Sequence, residues 1–152
     1  MLTHQFTKKF QKGSTLLEVL VTMILIALGL LGQAGLVAQS LKVNNSAYMR
    51  SQATLLADDM FERMRLNRTL ALAGSFNFYS GDTVPTGSGA TTIQGIEIID
   101  WVGKVQSIMN GSPVIDVDQY GNAYITITWS ELADGALTGS NTSTSFTTMS
   151  VI

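Results

Sequence analysis

The sequence predicts an α+β protein in which one long N-terminal helix packs on a small head with a short second helix and an antiparallel β-sheet. An apolar run of 23 uncharged residues occupies positions 19–41. At 1.5 Å per residue this run spans a hydrocarbon core of about 30 Å. The second half of the chain is instead rich in Gly, Ser, Thr and Asn. We therefore expect a transmembrane helix followed by a polar, β-rich head.

From residue 42 the helical pattern continues, but it becomes amphipathic. Apolar residues recur at the i, i+3, i+4, i+7 spacing of one helix face, which we expect to pack on the sheet of the head. This stripe consists of Ala53, Leu56, Ala57, Met60, Phe61 and Met64. The charged residues between them predict a solvated or subunit-facing surface, formed by Asp58, Asp59, Glu62, Arg63 and Arg65.

The head is predicted to contain one helix and a few strands. Residues 74–95 are rich in Gly, Ser and Thr and indicate a long surface loop. Helical spacing of apolar residues over 98–109 predicts the short second helix, with Asp100 or Glu97 near its start, Gly111 as the stop and Trp101 as a core anchor. Alternating apolar and polar residues predict strands at 114–117, 123–130 and 144–151. In the middle strand, one face carries Ile125, Ile127 and Trp129.

Composition argues against several classes of function. Lys8, Lys9 and Lys12 all precede the apolar run, and without residues 1–13 six basic side chains remain against eleven acidic ones, a net charge of −5. Direct DNA binding is therefore not expected, since it needs clustered Lys and Arg. The chain has no Cys, and its one His, His4, lies before the apolar run. We expect no enzyme, no cofactor, no metal and no small-molecule substrate.

One acidic stretch in the head superficially resembles a calcium loop. Asp116 and Asp118 are followed by Gly121 at EF-hand spacing, but the position of the bidentate acid falls on Ile127 and the context is a β-hairpin. We reject an EF-hand there and leave a looser ion site open.

The apolar run has three possible interpretations: a secretory signal, a permanent anchor or a prepilin leader. A secretory signal has a shorter apolar core that ends in small residues of A-x-A type, and the run has no such end. Lysines before the run place residues 1–12 in the cytoplasm. A plain anchor leaves Glu18 unexplained, because a carboxylate in the membrane costs about 2.5–3.5 kcal/mol unless it is neutralised.

The stretch G-S-T-L-L-E at 13–18 resembles the processing site of type IV pilins and their relatives. In that family the leader ends in Gly, cleavage follows it, and a Glu lies five residues into the mature chain. The resemblance implies cleavage after Gly13 and methylation of the new amine of Ser14, both by prepilin peptidase. Ser14 departs from the family, which usually has Phe there. Glu18 would pair with the N-terminal amine of a neighbouring subunit and set the register of the filament.

Three glycines in the apolar run recur every three residues: Gly29, Gly32 and Gly35. They favour either close helix packing or local unwinding during filament assembly. They are equally consistent with the general frequency of Gly in membrane helices.

Two further blocks, IALGLLGQAGL at 26–36 and RSQATLLADDMFERMRLN at 50–67, resemble the PilV branch of minor pilins. The resemblance implies the pilin fold and a subunit that helps initiate pilus assembly, at or near the tip, in support of twitching motility and adhesion. The implied partners are other minor pilins, the major pilin, the inner-membrane assembly platform and membrane lipid. The head would be periplasmic before assembly and extracellular afterwards.

The resemblance also implies four segments: a leader at 1–13, a transmembrane half-helix at 14–41, an amphipathic half-helix at 42–68, and a loop plus globular head at 69–152. Two alternative functions remain open. One is a minor pseudopilin of type II secretion, and the other is a pilus-tip module for ligand binding, adhesion or DNA uptake.

Overall fold

The computed structural model of the protein describes residues 15–132 and 141–152. The chain divides into two compact units, Met1–Leu41 and Lys42–Ile152. The helices are α1 (Leu16–Leu66), α2 (Arg68–Leu72) and α3 (Ile93–Met109), with a 3₁₀ turn at Gly89–Thr91. The strands are β1 (Ser112–Val117), β2 (Asn122–Leu132) and β3 (Asn141–Val151). This confirms the predicted α+β class, and the arrangement matches the pilin fold.

The first unit contains the apolar part of α1. Its side chains are exposed from Leu16 onwards, as expected for a helix that meets lipid or other helices rather than its own core. Helix α1 has an 18-residue window of mean hydropathy 2.2 with none of that window buried, so by length and composition it can cross a membrane.

The second unit is organised around one hydrophobic cluster. All six residues of the predicted stripe on α1 are buried in it, together with residues of α3 and the sheet. The helical spacing that predicted this stripe is confirmed. Burying each large apolar side chain contributes about 1.5–3 kcal/mol, which makes this face of α1 the main attachment of the helix to the head.

Helix α3 begins earlier than predicted, at Ile93 instead of near Glu97 or Asp100. The reason is Thr92, whose hydroxyl accepts a 3.2 Å hydrogen bond from the Gly95 N–H and caps the helix. A Cβ at Gly95 would lie 1.9 Å from the carbonyl oxygen of Gly89, so only glycine allows the 3₁₀ turn to approach. Trp101 is fully buried, as predicted.

The sheet is antiparallel and has the order β1-β2-β3. All three predicted strands are present, and each extends beyond its predicted limits. The predicted face of β2 is confirmed, because Ile125, Ile127 and Trp129 are all buried.

The loop predicted at 74–95 is wrong in its first part. Phe76 and Phe78 are buried in the core. Phe78 also pairs with Ile115 of β1 through two backbone hydrogen bonds, of 2.9 and 2.7 Å. The glycines and polar residues around the two phenylalanines gave no sign that this segment packs on the core and pairs with β1. The short helix α2 before it was also missed.

The prediction of a solvated or subunit-facing charged surface on α1 is wrong for Arg63. Its side chain is only 14% exposed and lies between three carboxylates, Asp59 on α1 and Glu97 and Asp100 on α3. Desolvation lowers the pKa of Arg63, but its hydrogen bonds to Asp59 and Asp100 outweigh this and raise the pKa, so the guanidinium stays charged. Arg63 therefore joins α1 to α3.

Candidate processing and assembly site

Glu18 lies in the first turn of α1. Its backbone N–H donates hydrogen bonds to Thr15, at 2.9 Å to the backbone carbonyl oxygen and at 3.4 Å to the side-chain hydroxyl oxygen. The helix that carries Glu18 therefore begins one turn after the sequence position predicted for cleavage.

Thr15 is a residue that the sequence reasoning missed. It directly precedes α1, and its hydroxyl accepts from the N–H three residues on, which is the N-terminal half of a capping box. The signal was present as T-L-L-E at 15–18, which fits the pattern S/T-x-x-E. Thr15 thus fixes the start of the helix and the position of Glu18 within it.

The position of Glu18 reduces the cost of its charge. The free N–H groups at the start of a helix carry a partial positive charge, which favours a carboxylate in the first turn by about 0.3–1 kcal/mol. This is less than the cost of about 2.5–3.5 kcal/mol for a carboxylate in the membrane interior. Within the described part of the chain this effect offsets the cost of the charge only in part, so a further partner for the carboxylate is favourable.

Gly13 and Ser14 lie outside the described residues. Their roles as the residue before the cut and the new N-terminus therefore stay predictions.

Gly29, Gly32 and Gly35 all lie within α1. Apart from the adjoining residues and the nearby backbone of α1 itself, a Cβ at any of the three would meet no described atom within 4 Å. Packing within the described chain therefore does not require glycine there. The prediction that they serve helix packing or local unwinding during assembly therefore stays a prediction, as does the alternative that Gly is simply common in membrane helices.

At the candidate ion site on the β1–β2 hairpin, both carboxylates accept hydrogen bonds from other groups of the chain. Asp118 accepts from the backbone N–H groups of Tyr120 and Asn122 at 2.8 and 2.9 Å, and from the Asn122 side chain at 2.7 Å. The bonds from Asn122 hold the pKa of Asp118 below its usual range. Asp116 accepts from the hydroxyl of Tyr79 at 3.0 Å.

The hydrogen bonds of Asp118 stabilise the turn between β1 and β2. Among the described residues, no group of three or more His, Cys, Asp or Glu side chains is placed to hold a metal ion.

Comparison with known proteins agrees with the position of the site. A family model described as the prokaryotic N-terminal methylation motif matches residues 8–32. This range includes Gly13, Ser14, Glu18, Gly29 and Gly32. No curated protein and no solved structure matches the chain significantly.

The matched motif supports a type IV pilin-like or pseudopilin-like subunit. It indicates a structural role, processing by a prepilin peptidase and assembly with pilus components. Together with the apolar helix that follows, it suits anchoring in a membrane before assembly.

Proposed function

We propose that the protein is a minor pilin of a type IV pilus, a structural subunit that helps to initiate assembly and lies at or near the tip. One observation carries this proposal. The methylation motif at 8–32 overlaps the first part of the helix Leu16–Leu66, which carries Glu18 in its first turn. The sequence similarity of residues 26–36 and 50–67 to the PilV branch supports the minor-pilin assignment.

In the proposed pathway, prepilin peptidase removes residues 1–13 and methylates the amine of Ser14. Residues 14–41 hold the chain in the inner membrane with its N-terminus cytoplasmic and its head periplasmic. A methylated α-amine keeps its positive charge, so it forms a charge-assisted hydrogen bond with Glu18 of a neighbouring subunit. A subunit in the wrong register leaves both charges unpaired in the membrane, which is unfavourable.

The second unit supports the role of a filament subunit. Residues 42–68 hold the head through the buried stripe of α1 and through Arg63. The proposed partners are other minor pilins, the major pilin and the assembly platform, and the resulting pili support twitching motility and adhesion.

Deletion of the gene tests the proposal. We expect cells without the protein to lose surface pili and twitching while secreting proteins normally, and we expect the wild-type gene to restore both. Purified pilus complexes should contain the protein together with other minor pilins. Normal pili combined with a loss of protein secretion would instead identify a pseudopilin of type II secretion.

A further inference from the structure

A cleft in the second unit lies between the segment that follows α2 and the first turn of α3. Its volume is about 340 Å³, at the lower end of the range of small-molecule sites, which is about 300–1,000 Å³. Its apolar lining includes Phe78 and Ile98, and its polar lining includes Ser75, Asp82 and Gln94. An apolar surface with a few polar groups around it is typical of a binding site.

The polar groups of the cleft are available to a ligand. The side-chain amide of Gln94 and the hydroxyl of Ser75 form no hydrogen bond with a described residue. Both residues are half-buried, yet no buried side-chain nitrogen or oxygen in the described chain lacks a partner, so these two groups are open to solvent. One carboxylate oxygen of Asp82 accepts from the Tyr79 N–H at 2.7 Å. Its other oxygen has no partner among the described residues.

Hydrogen bonds within the chain hold the walls of the cleft in place. The Asp82 N–H donates to the carbonyl oxygen of Tyr79 at 3.0 Å, so Tyr79 and Asp82 close a turn through both backbone and side chain. At the start of α3 the Thr92 hydroxyl donates to the carbonyl oxygen of Gly89 at 2.7 Å. A site whose walls are already ordered loses less conformational entropy when a ligand binds.

The chemistry of the lining selects the ligand. Asp82 is the only charged residue among the described residues that line the cleft, so an anion is repelled. An apolar ligand would cover the polar groups without giving them hydrogen bonds, which is costly. A small cation would pair with Asp82 but would offer no acceptor to the N–H and O–H groups of Gln94 and Ser75. A neutral ligand with several hydroxyl groups meets all of these requirements.

We infer that this cleft binds a neutral pyranose sugar. Its C–H groups contact Phe78 and Ile98, and its hydroxyl groups bond to Asp82, Gln94 and Ser75. The carboxylate of Asp82 accepts, while the amide and the Ser75 hydroxyl both donate and accept. The bond to Asp82 is charge-assisted and is therefore the strongest of these contacts.

Nuclear magnetic resonance of the full chain tests the inference, in lauryldimethylamine oxide because this detergent has no sugar group. Glucose, galactose and N-acetylglucosamine are added one at a time. We expect at least one of them to shift the backbone amide signals of Ser75, Gln94, Gly95 and Ile98 in a saturable way at millimolar concentrations. The amide signals of β3, which does not line the cleft, should stay unchanged.

Variants of the polar lining connect the shifts to the cleft. Gln94→Ala and Asp82→Asn should each weaken binding by about tenfold. Asparagine at 82 retains an oxygen that accepts from the Tyr79 N–H, so the turn is kept. The control is Gln106→Ala, which removes the same side chain from an exposed position of α3 outside the cleft and should leave binding unchanged.

Three results would overturn the inference. The first is the absence of saturable shifts with all three sugars. The second is sugar binding that is equally strong in wild type, Gln94→Ala and Asp82→Asn, since the sugar then binds elsewhere. The third is equally strong shifts of the same signals with inorganic phosphate, since the cleft then does not select against anions. The readout does not involve pilus assembly, so its failure would leave the proposed function untouched.

Discussion

The indole N–H of Trp101 in α3 donates a 2.7 Å hydrogen bond to the backbone carbonyl oxygen of Leu56 in α1. Both residues are buried. A helix carbonyl usually serves only its own helix, so this bond fixes α3 to α1 at one position along both helices. It gives the aromatic anchor predicted from the sequence a specific partner.

Trp101→Phe removes this bond and leaves a small cavity, so we expect the free energy of unfolding to fall by about 1–3 kcal/mol. Denaturant unfolding of the full chain in detergent, followed by circular dichroism, measures the change. Ile96→Ala, at an exposed position of the same helix, is the control and should change stability by less than about 0.5 kcal/mol. Equal stability of wild type and Trp101→Phe would show that the bond is unimportant.

Arg63 and Arg65 offer a matched comparison on α1. Arg63→Gln leaves three carboxylates close together without their guanidinium, and we expect it to lower the free energy of unfolding by about 1–3 kcal/mol. Arg65 pairs with Glu62 at an exposed position, so Arg65→Gln should cost no more than about 1 kcal/mol. The same denaturant measurement compares the two. A larger effect at Arg65 would contradict the assignment of Arg63 as the joint between helices.

Asp100 makes the stability of this joint depend on pH. Its hydrogen bonds to Lys104 and Arg63 hold the pKa of Asp100 below its usual value. A carboxylate with a lowered pKa in the folded state stabilises the fold above its unfolded pKa of about 3.9. This stability is lost as the pH falls through the folded pKa.

We therefore expect wild type to lose more stability than Asp100→Asn when the pH is lowered from about 5 to 3. Unfolding curves at several pH values measure the difference. An equal loss of unfolding free energy in wild type and Asp100→Asn as the pH falls would rule out this contribution of Asp100.

Two glycines of α3 should respond oppositely to alanine. A Cβ at Gly95 would lie 1.9 Å from the Gly89 oxygen and 2.8 Å from the Thr92 hydroxyl. Gly95→Ala should therefore lower the free energy of unfolding by about 3 kcal/mol. Gly103 has open space around it, and Gly103→Ala should raise stability by about 0.5–1 kcal/mol through better helix propensity. Thermal unfolding of both variants gives the comparison, and a tolerated Gly95→Ala would contradict the close approach.

Glu18→Ala tests the proposed pairing in the filament. The substitution removes a costly charge, so membrane insertion should be unchanged or better, while incorporation into pilus complexes should fall by about tenfold, equivalent to 1.4 kcal/mol. Quantitative immunoblots of membranes and of sheared pili measure the two quantities. Glu62→Ala, which removes a carboxylate from the head half of α1, is the control. Equal incorporation of wild type and Glu18→Ala would show that the pairing is dispensable.

The parts of the fold that were predictable have a regular period. The stripe of α1 and the buried face of β2 follow spacings of 3.6 and 2 residues, which one sequence displays directly. The motif around Gly13 and Glu18 was equally readable, because processing acts on a short contiguous segment.

The features that were missed depend on contacts between distant residues. Phe78 lies in a stretch with no period and is placed by its backbone pairing with Ile115. Arg63 looked like any surface charge until α3 brought Glu97 and Asp100 beside it. The early start of α3 depends on a single capping hydroxyl, that of Thr92. A cap is a local feature, but it does not show in the spacing of apolar residues from which the helix was predicted.

The mass of the intact protein extracted from membranes tests the proposed processing most directly. In cells with active prepilin peptidase we predict a chain that begins at Ser14 and carries one methyl group on its amine. Gly13→Val should block the cut and leave residues 1–13 attached, as should loss of the peptidase. A chain that still begins at Met1 in peptidase-positive cells would contradict processing, and with it the proposal that the protein is a pilin.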